Sequence, residues 1–229
     1  MATHLVEIRI DPAAVRKWGR HIGISAADDD YLIHSVFCAA YGDLRPKPFV
    51  IKPGGRSMRV LGYCPVDAGR LTEARRIGAE PEVSVCFESE MSKEMPETWR
   101  VGQRLHFELR VAPTRQKANR GGEVDAMVLA EPGQSRDEVY ATWLKSRTEK
   151  ACEMTVLQMT SYARCQVRRR SHTSNGDRRV LNSGFYLPDV TFKGAITVTD
   201  PEAFAELVRS GIGRHKAFGF GALLVRPAV

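Results

Sequence analysis

Apolar and polar residues alternate over short stretches of this chain, and between those stretches the apolar residues recur at helical spacing. The stretch "LVEIRI" alternates over residues 5–10 and predicts a strand, because successive side chains of a strand point to opposite faces. "DDDYLIHSVFCAAYG" follows and predicts a helix near residues 29–41. The negative charges of Asp28 to Asp30 suit the first turn of a helix, and Gly42 suits its end.

The first half of the chain continues as two strands, a helix and a strand. "PFVIKPGGRSMRVLGYCP" holds two strand patterns around "PGG", which is typical of a hairpin. "DAGRLTEARRIGA" predicts a short amphipathic helix that ends at Gly78, and "EVSVCFESEM" predicts a strand. "SKEMPETWRVGQ" then interrupts the pattern with Pro96 and Gly102 and indicates a linker.

The same order of elements returns after this linker. "RLHFELRVAP" predicts a strand, and "SRDEVYATWLKSRTEKACEM" predicts a helix whose Ser135 and Glu138 form a capping box. The arginine-rich stretch that follows predicts a hairpin at "SNGD", since Asn-Gly is a strong turn signal. "DVTFKGAITVTD" predicts a strand, "DPEAFAELVRSG" predicts a helix capped by Asp200 with Pro201 at its first position, and "GALLVR" predicts the last strand.

This doubled order of strand, helix, strand, strand, helix and strand predicts an α+β protein. We expect two tandem ferredoxin-like domains of the βαββαβ, RRM-like type, at residues 1–95 and 96–229. The sheet of such a domain often binds RNA, although a fold alone does not determine a function.

The charge of the chain favours a polyanionic partner. Its 34 lysines and arginines outnumber 27 aspartates and glutamates, which gives a formal net charge of +7. The segment "RCQVRRRSHTSNGDRR", residues 164–179, holds six arginines and one aspartate. An arginine fork fits phosphates and guanine edges, and the alternative for this segment is a solvated charged loop.

Composition limits the other classes of function. The chain contains no run of about 18 apolar residues, so we expect no membrane span. Its five cysteines are an odd number without a C-x-x-C motif, which indicates reduced thiols in a cytoplasmic protein. No cluster of acidic residues suggests a two-metal nuclease, so we expect neither a metal nor another cofactor.

The stretch "GIGRHKAFGFGALLVRPAV" near the C-terminus is a basic, glycine-rich loop. A dinucleotide-binding loop follows a strand and precedes a helix, whereas this loop follows a helix and precedes a strand. We expect it to pack over the groove between the domains and to contact RNA through main-chain N–H groups. The alternative is a tight turn between helix and strand.

One face of the helix near residues 29–41 carries a candidate for proton transfer. Tyr31 and His34 are three residues apart and therefore share a helix face. An imidazole with an ordinary pKa of about 6.5 suits proton transfer at neutral pH, and a tyrosine hydroxyl can orient a sugar or a phosphate. A histidine on a surface or interface is the alternative.

Several of these segments together resemble one family. "YLIH", "LRVAPTRQKANRGG" and "FKGAITVTDPEAFAELVRSGIG", followed by the glycine-rich loop, resemble the CasE family of CRISPR-RNA-processing endoribonucleases, of the type I-E system and the RAMP superfamily. The resemblance covers most of the chain and is strongest from Phe192 to Pro227. The catalytic tyrosine and histidine of the family fall on Tyr31 and His34.

The resemblance implies a reaction and its partners. It implies paired ferredoxin-like domains, cleavage at the base of a CRISPR repeat stem-loop, retention of the product, and membership of a multi-subunit surveillance complex. The 2′-hydroxyl of the RNA would be the nucleophile, which gives a 2′,3′-cyclic phosphate and a 5′-hydroxyl without a metal. Lys216, Lys117 and the arginine segment are candidates for stabilising the transition state.

The expected RNA-binding residues lie in two basic loops and in the arginine segment. They are Arg115, Lys117, Arg120, Arg168, Arg169, Arg170, Arg178, Arg179, Gly211, Gly213, Arg214, His215, Lys216, Gly219 and Gly221. Three other functions compete with an endoribonuclease. They are a non-catalytic RNA-binding scaffold subunit, a general RNA-binding protein, and a small-molecule enzyme that holds a nucleotide in the glycine loop.

Overall fold

Two four-stranded antiparallel sheets, one from each half of the chain, form the frame of the protein. The computed structural model describes residues 3–24, 29–52, 54–117, 122–167, 170–172, 178–180 and 185–228, with the backbone alone at 167, 170–172, 178–180 and 185. Helices cover one face of each sheet and enclose a separate hydrophobic core.

The first half forms a sheet of strand order β2-β3-β1-β4. Its elements are β1 (His4–Ile10), α1 (Pro12–His21), α2 (Asp29–Tyr41), a 3-10 helix (Gly42–Leu44), β2 (Phe49–Lys52), β3 (Met58–Cys64), α3 (Ala68–Gly78), α4 (Pro81–Ser84) and β4 (Phe87–Glu94). The central strand β1 pairs antiparallel with β3 on one side and with β4 on the other.

The second half forms a sheet of strand order β12-β5-β11-β8. Its elements are β5 (Arg104–Val111), β6 (Thr114–Gln116), β7 (Glu123–Asp125), a 3-10 helix (Ala126–Leu129), α5 (Arg136–Thr148), β8 (Cys152–Val167), β9 (Arg170–His172), β10 (Arg178–Val180), β11 (Phe185–Val198), α6 (Pro201–Ser210), a 3-10 helix (Lys216–Phe218) and β12 (Leu223–Pro227). In each half the first and third strands are central and the second and fourth lie at the edges.

This shared topology confirms the predicted α+β class with tandem ferredoxin-like units. The Ser135 and Glu138 capping box is present at the start of α5, and Asp200 caps α6 as expected. β9 pairs antiparallel with β10, as the turn signal at "SNGD" predicts, although residues 173–177 lie outside the described part of the chain. The boundary between residues 95 and 96 stays a prediction.

Three elements differ from the sequence-based expectation. The connection after β1 contains α1, whose first amides donate to the Asp11 side chain, with Ala13 N at 2.8 Å. The strand predicted from Glu82 begins only at Phe87, because Pro81 starts the short helix α4. The helix predicted through Met154 ends at Thr148, where the long strand β8 soon follows.

The strand β8 lacks a regular alternation for a structural reason. Within its sheet it is an edge strand, and it pairs with β11 alone. Two register shifts, between Thr191 and Phe192 and between Ala195 and Ile196, change which of its residues face the core. A pattern with period two therefore does not run through the whole strand.

The two halves contact one another through buried groups. The hydroxyl of Tyr63, on β3, donates to the carbonyl of Leu223, on β12, at 2.6 Å. The Tyr63 side chain is 1% exposed and packs in the core of the second half. Lys52 also pairs with Glu108 across the same contact. Within the described residues, no helix is long and apolar enough to cross a membrane.

We expect Tyr63→Phe to lower the free energy of unfolding by about 1–2 kcal/mol, because it leaves the buried Leu223 carbonyl without this donor. Urea denaturation monitored by circular dichroism measures the change. Tyr186→Phe is the matched control, since Tyr186 is 58% exposed. Equal stability of the two variants would mean that the bond between the halves contributes nothing.

Candidate active site

Tyr31 and His34 project from one face of α2, as the three-residue spacing predicts. Their ring centroids are 6.3 Å apart, and both side chains are half-buried. The opposite face of α2 packs into the first core through Leu32, Ile33, Val36 and Phe37. The burial of that face fixes the direction in which Tyr31 and His34 point.

A third ring, Phe218, completes the cluster from the second half of the chain. Phe218 stacks on Tyr31 with centroids 6.1 Å apart and planes inclined by 10°. It also contacts His34 at 4.9 Å between centroids, with a tilt of 53°. Sequence analysis missed Phe218, although an aromatic residue directly before Gly219 in the basic loop was the available signal. The candidate site is therefore shared by α2 and the glycine loop.

The surroundings of His34 favour its neutral form. Burial lowers the pKa of the imidazole, and the positive charges of Arg45 and Lys47 lower it further. The Sγ atom of Cys38, one turn along α2, lies 3.7 Å from His34 Nε2. The neutral imidazole is the form that can take up a proton, so His34 is available as a general base in the first step of a reaction.

Positive charge gathers beside the ring cluster. Arg45 and Lys47 follow α2, and Lys216 belongs to the glycine loop. Burial lowers the pKa of Lys216, and the nearby charge of Lys47 lowers it further. The Nε atom of Arg45 is buried and makes no hydrogen bond to any described residue. These three cations, two of them missed by sequence analysis, form an environment that attracts an anion.

A groove opens between this cluster and the hairpin of β6 and β7. Its volume is about 870 Å³, which is ample for a nucleotide. Its lining includes Lys47, Arg214, Lys216 and Phe218. The groove thus runs from exposed basic residues to Phe218, whose ring contacts Tyr31 and His34.

The glycines give the loop its path. Gly211, Gly213, Gly219 and Gly221 all have positive φ, between 72° and 84°. The amide of Gly211 donates to Leu207 O at 2.9 Å, and that of Gly221 donates to Arg110 O at 2.7 Å. These two amides serve the fold of the loop, and contact between the loop and RNA stays a prediction.

The histidine of the loop also has a structural contact. His215 has φ of 59°, in the left-handed region, and its Nε2 atom lies 3.0 Å from both carboxylate oxygens of Glu123. Its side chain is only 1% exposed, so the ring does not add charge to the surface as we expected. Arg214 beside it is 57% exposed and contacts Gln116 at 2.8 Å.

The other predicted RNA-binding residues differ in how fully the structure describes them. Arg115 and Lys117 are exposed on and just after β6, and Arg115 lines a smaller cleft together with Arg214. Arg170 lies on β9, and Arg178 and Arg179 lie on β10, with the backbone alone described. Residues outside the described part of the chain are Arg120, Arg168 and Arg169.

The chain as a whole matches known proteins. A family model described as "CRISPR associated protein" matches residues 3–227. This chain belongs to that family. The CRISPR-associated endoribonuclease Cse3 of Thermus thermophilus is 29% identical to this CRISPR-associated protein over 133 residues, 55% of this chain and 57% of that protein. The match thus spans little more than half the length of this relative.

Solved structures share the fold of this CRISPR-associated protein. One shows CRISPR endoribonuclease Cse3 bound to a 19-nucleotide RNA, with a TM-score of 0.70, 24% identity, and coverage of 99% of this chain and 100% of that chain. A chain from a CRISPR RNA-guided surveillance complex gives a TM-score of 0.57 at 17% identity and covers 98% of this chain and 100% of its own length. At these identities the likeness establishes the fold.

We expect Gly219→Ala to destabilise this CRISPR-associated protein more than Gly133→Ala does. Both glycines have positive φ, at 79° and 89°, so each alanine costs about 1 kcal/mol in backbone strain. At Gly219 the new Cβ would also lie 2.7 Å from Asp30 Oδ1, whereas at Gly133 it meets open space. Thermal denaturation compares the two, and equal melting temperatures would contradict close packing at Gly219.

We expect Lys47→Met to raise the pKa of His34 toward its ordinary value, because one of the charges that lowers it is removed. Titration of the His34 ring protons by NMR measures this pKa directly. Lys145→Met, at an exposed position of α5, removes the same charge elsewhere and leaves the pKa of His34 unchanged. A lower pKa in Lys47→Met would contradict the electrostatic origin of the shift.

Proposed function

We propose that this chain is a metal-independent endoribonuclease that cleaves CRISPR repeat stem-loop RNA and stays bound to the product. The observation that supports this proposal most directly is the half-buried cluster of Tyr31, His34 and Phe218, which lies beside the three cations described above. RNA brings its own nucleophile, so such a site needs only to align the 2′-hydroxyl, move protons and stabilise negative charge.

The reaction divides between a small number of side chains. The 2′-oxygen attacks the adjacent phosphorus, its proton leaves to a base, and the bond to the 5′-oxygen of the next nucleotide breaks. His34, held neutral by its surroundings, takes the proton of the 2′-hydroxyl, or returns a proton to the leaving oxygen once it is charged. The products are a 2′,3′-cyclic phosphate and a 5′-hydroxyl.

The remaining groups orient the RNA and neutralise its charge. The Tyr31 hydroxyl orients the reacting ribose or phosphate, and Phe218 holds the Tyr31 and His34 rings in place. Arg45, Lys47 and Lys216 stabilise the additional negative charge of the phosphorane-like transition state.

The stem of the RNA binds on the basic surfaces around the groove. Arg115, Lys117 and Arg214 are exposed there and make phosphate contacts. The arginines of the β9 and β10 hairpin bind the duplex mainly by shape and charge, because the major groove of A-form RNA is narrow. Membership of a multi-subunit surveillance complex in the cytoplasm belongs to the same proposal, supported by the likeness to a chain of such a complex.

Incubation of the protein in excess EDTA with the stem-loop of its own CRISPR repeat tests this function. We expect one cut by the wild type, none at a 2′-deoxy substitution at the cut site, and a loss of at least about 100-fold in rate for His34→Ala with RNA binding retained. Tyr186→Phe is a control at an exposed tyrosine. Binding without cutting by the wild type would favour a scaffold subunit, and cutting of the 2′-deoxy substrate would contradict the mechanism.

A further inference from the structure

One buried guanidinium joins the catalytic helix to the second half of the chain. Arg110, on β5, makes two hydrogen bonds of 2.9 Å to the carboxylate of Asp30, in the first turn of α2. It makes two more, of 2.9 and 2.8 Å, to the carboxylate of Asp189 on β11. The three side chains are 18%, 21% and 18% exposed, so the pairs are largely shielded from water.

The same residue also fixes the glycine loop. The guanidinium lies 4.3 Å above the Phe220 ring and 3.4 Å from the carbonyl of Gly219. The backbone carbonyl of Arg110 accepts from the amide of Gly221 at 2.7 Å. Phe220 itself is fully buried against Ala112 and Leu187. Arg110 therefore holds the segment that follows Phe218.

Asp30 is placed so that its position sets that of the catalytic side chains. It precedes Tyr31 directly and lies four residues, about one helical turn, before His34. Movement of the first turn of α2 away from β5 would displace both rings from Phe218. The ring cluster thus depends on a contact that neither Tyr31 nor His34 makes.

We propose that Asp30 and Arg110 are positioning residues that align Tyr31 and His34 with the glycine loop for cleavage. The inference rests on the proposed function. A displacement of about 1 Å at a reacting group can cost 100-fold in rate, so a break in this contact affects cleavage far more than binding. Asp189 contacts the same guanidinium but not α2, which provides a matched control.

The experiment compares Asp30→Asn with Asp189→Asn in single-turnover cleavage of the repeat stem-loop. Each variant removes one carboxylate charge from the same guanidinium. We expect Asp30→Asn to lower the maximal rate constant about 10- to 100-fold with RNA affinity within about threefold, and Asp189→Asn to stay within about threefold in both. The inflection of the pH–rate profile stays near the wild-type pH, because burial, Arg45 and Lys47 set the pKa of His34.

A second measurement does not depend on cleavage. Phe218→Leu is introduced into the wild type and into each asparagine variant, and the His34 proton chemical shifts are measured by NMR with and without it. The difference between the two measurements is the ring-current contribution of Phe218. We expect this difference to be present in the wild type and in Asp189→Asn, and to be lost in Asp30→Asn. Retention in Asp30→Asn, or equal slowing of cleavage by both asparagine variants, would overturn the inference. A wild type that fails to cleave would refute the proposed function, and the ring-current difference would then decide the positioning role.

Discussion

The candidate site depends on the close approach of the glycine loop to two segments of the first half of the chain. Gly211 leaves no room for a side chain against Pro48, and Gly219 leaves none against Asp30. This approach brings Phe218 onto the rings of α2 and places Lys216 near Lys47. Each half has its own hydrophobic core, but the site forms only where the halves meet.

The electrostatics of the site are arranged for a ligand with negative charge. Burial lowers the pKa values of His34 and Lys216, and nearby positive charge lowers them further, from Arg45 and Lys47 at His34 and from Lys47 at Lys216. Elsewhere at the contact between the halves, positive groups are matched by carboxylates, as Lys52 is by Glu108. Arg45 also contacts the exposed carboxylate of Asp43 at 3.5 Å, and Lys216 lies near Glu206, so the site cations are partly neutralised before an anion binds.

Local signals in the sequence recovered most of the frame and part of the site. The alternation of apolar and polar residues predicts β1, and the capping residue Asp200 predicts the start of α6. Both signals depend only on residues that are neighbours in the sequence. The pairing of Tyr31 with His34 follows from helical geometry alone. Phe218 reaches the site through tertiary packing across a long sequence separation, and Arg45 is brought back to it by the turn that follows α2. The sequence predicts a surface charge at His215, whereas its left-handed backbone turns the ring inward to Glu123.

Because the two halves share one topology, the elements that each half contributes to the candidate site can be compared directly. In the second half the connection between the last helix and the last strand is the glycine loop, whereas the equivalent connection in the first half holds α4. The catalytic candidates Tyr31 and His34, in contrast, lie on helix α2 of the first half. The two halves share a topology but contribute different elements to the site. The first half contributes a helix, and the second half contributes a loop. A substitution where the two halves meet therefore changes a site that both halves form, even when it lies outside the core of either half.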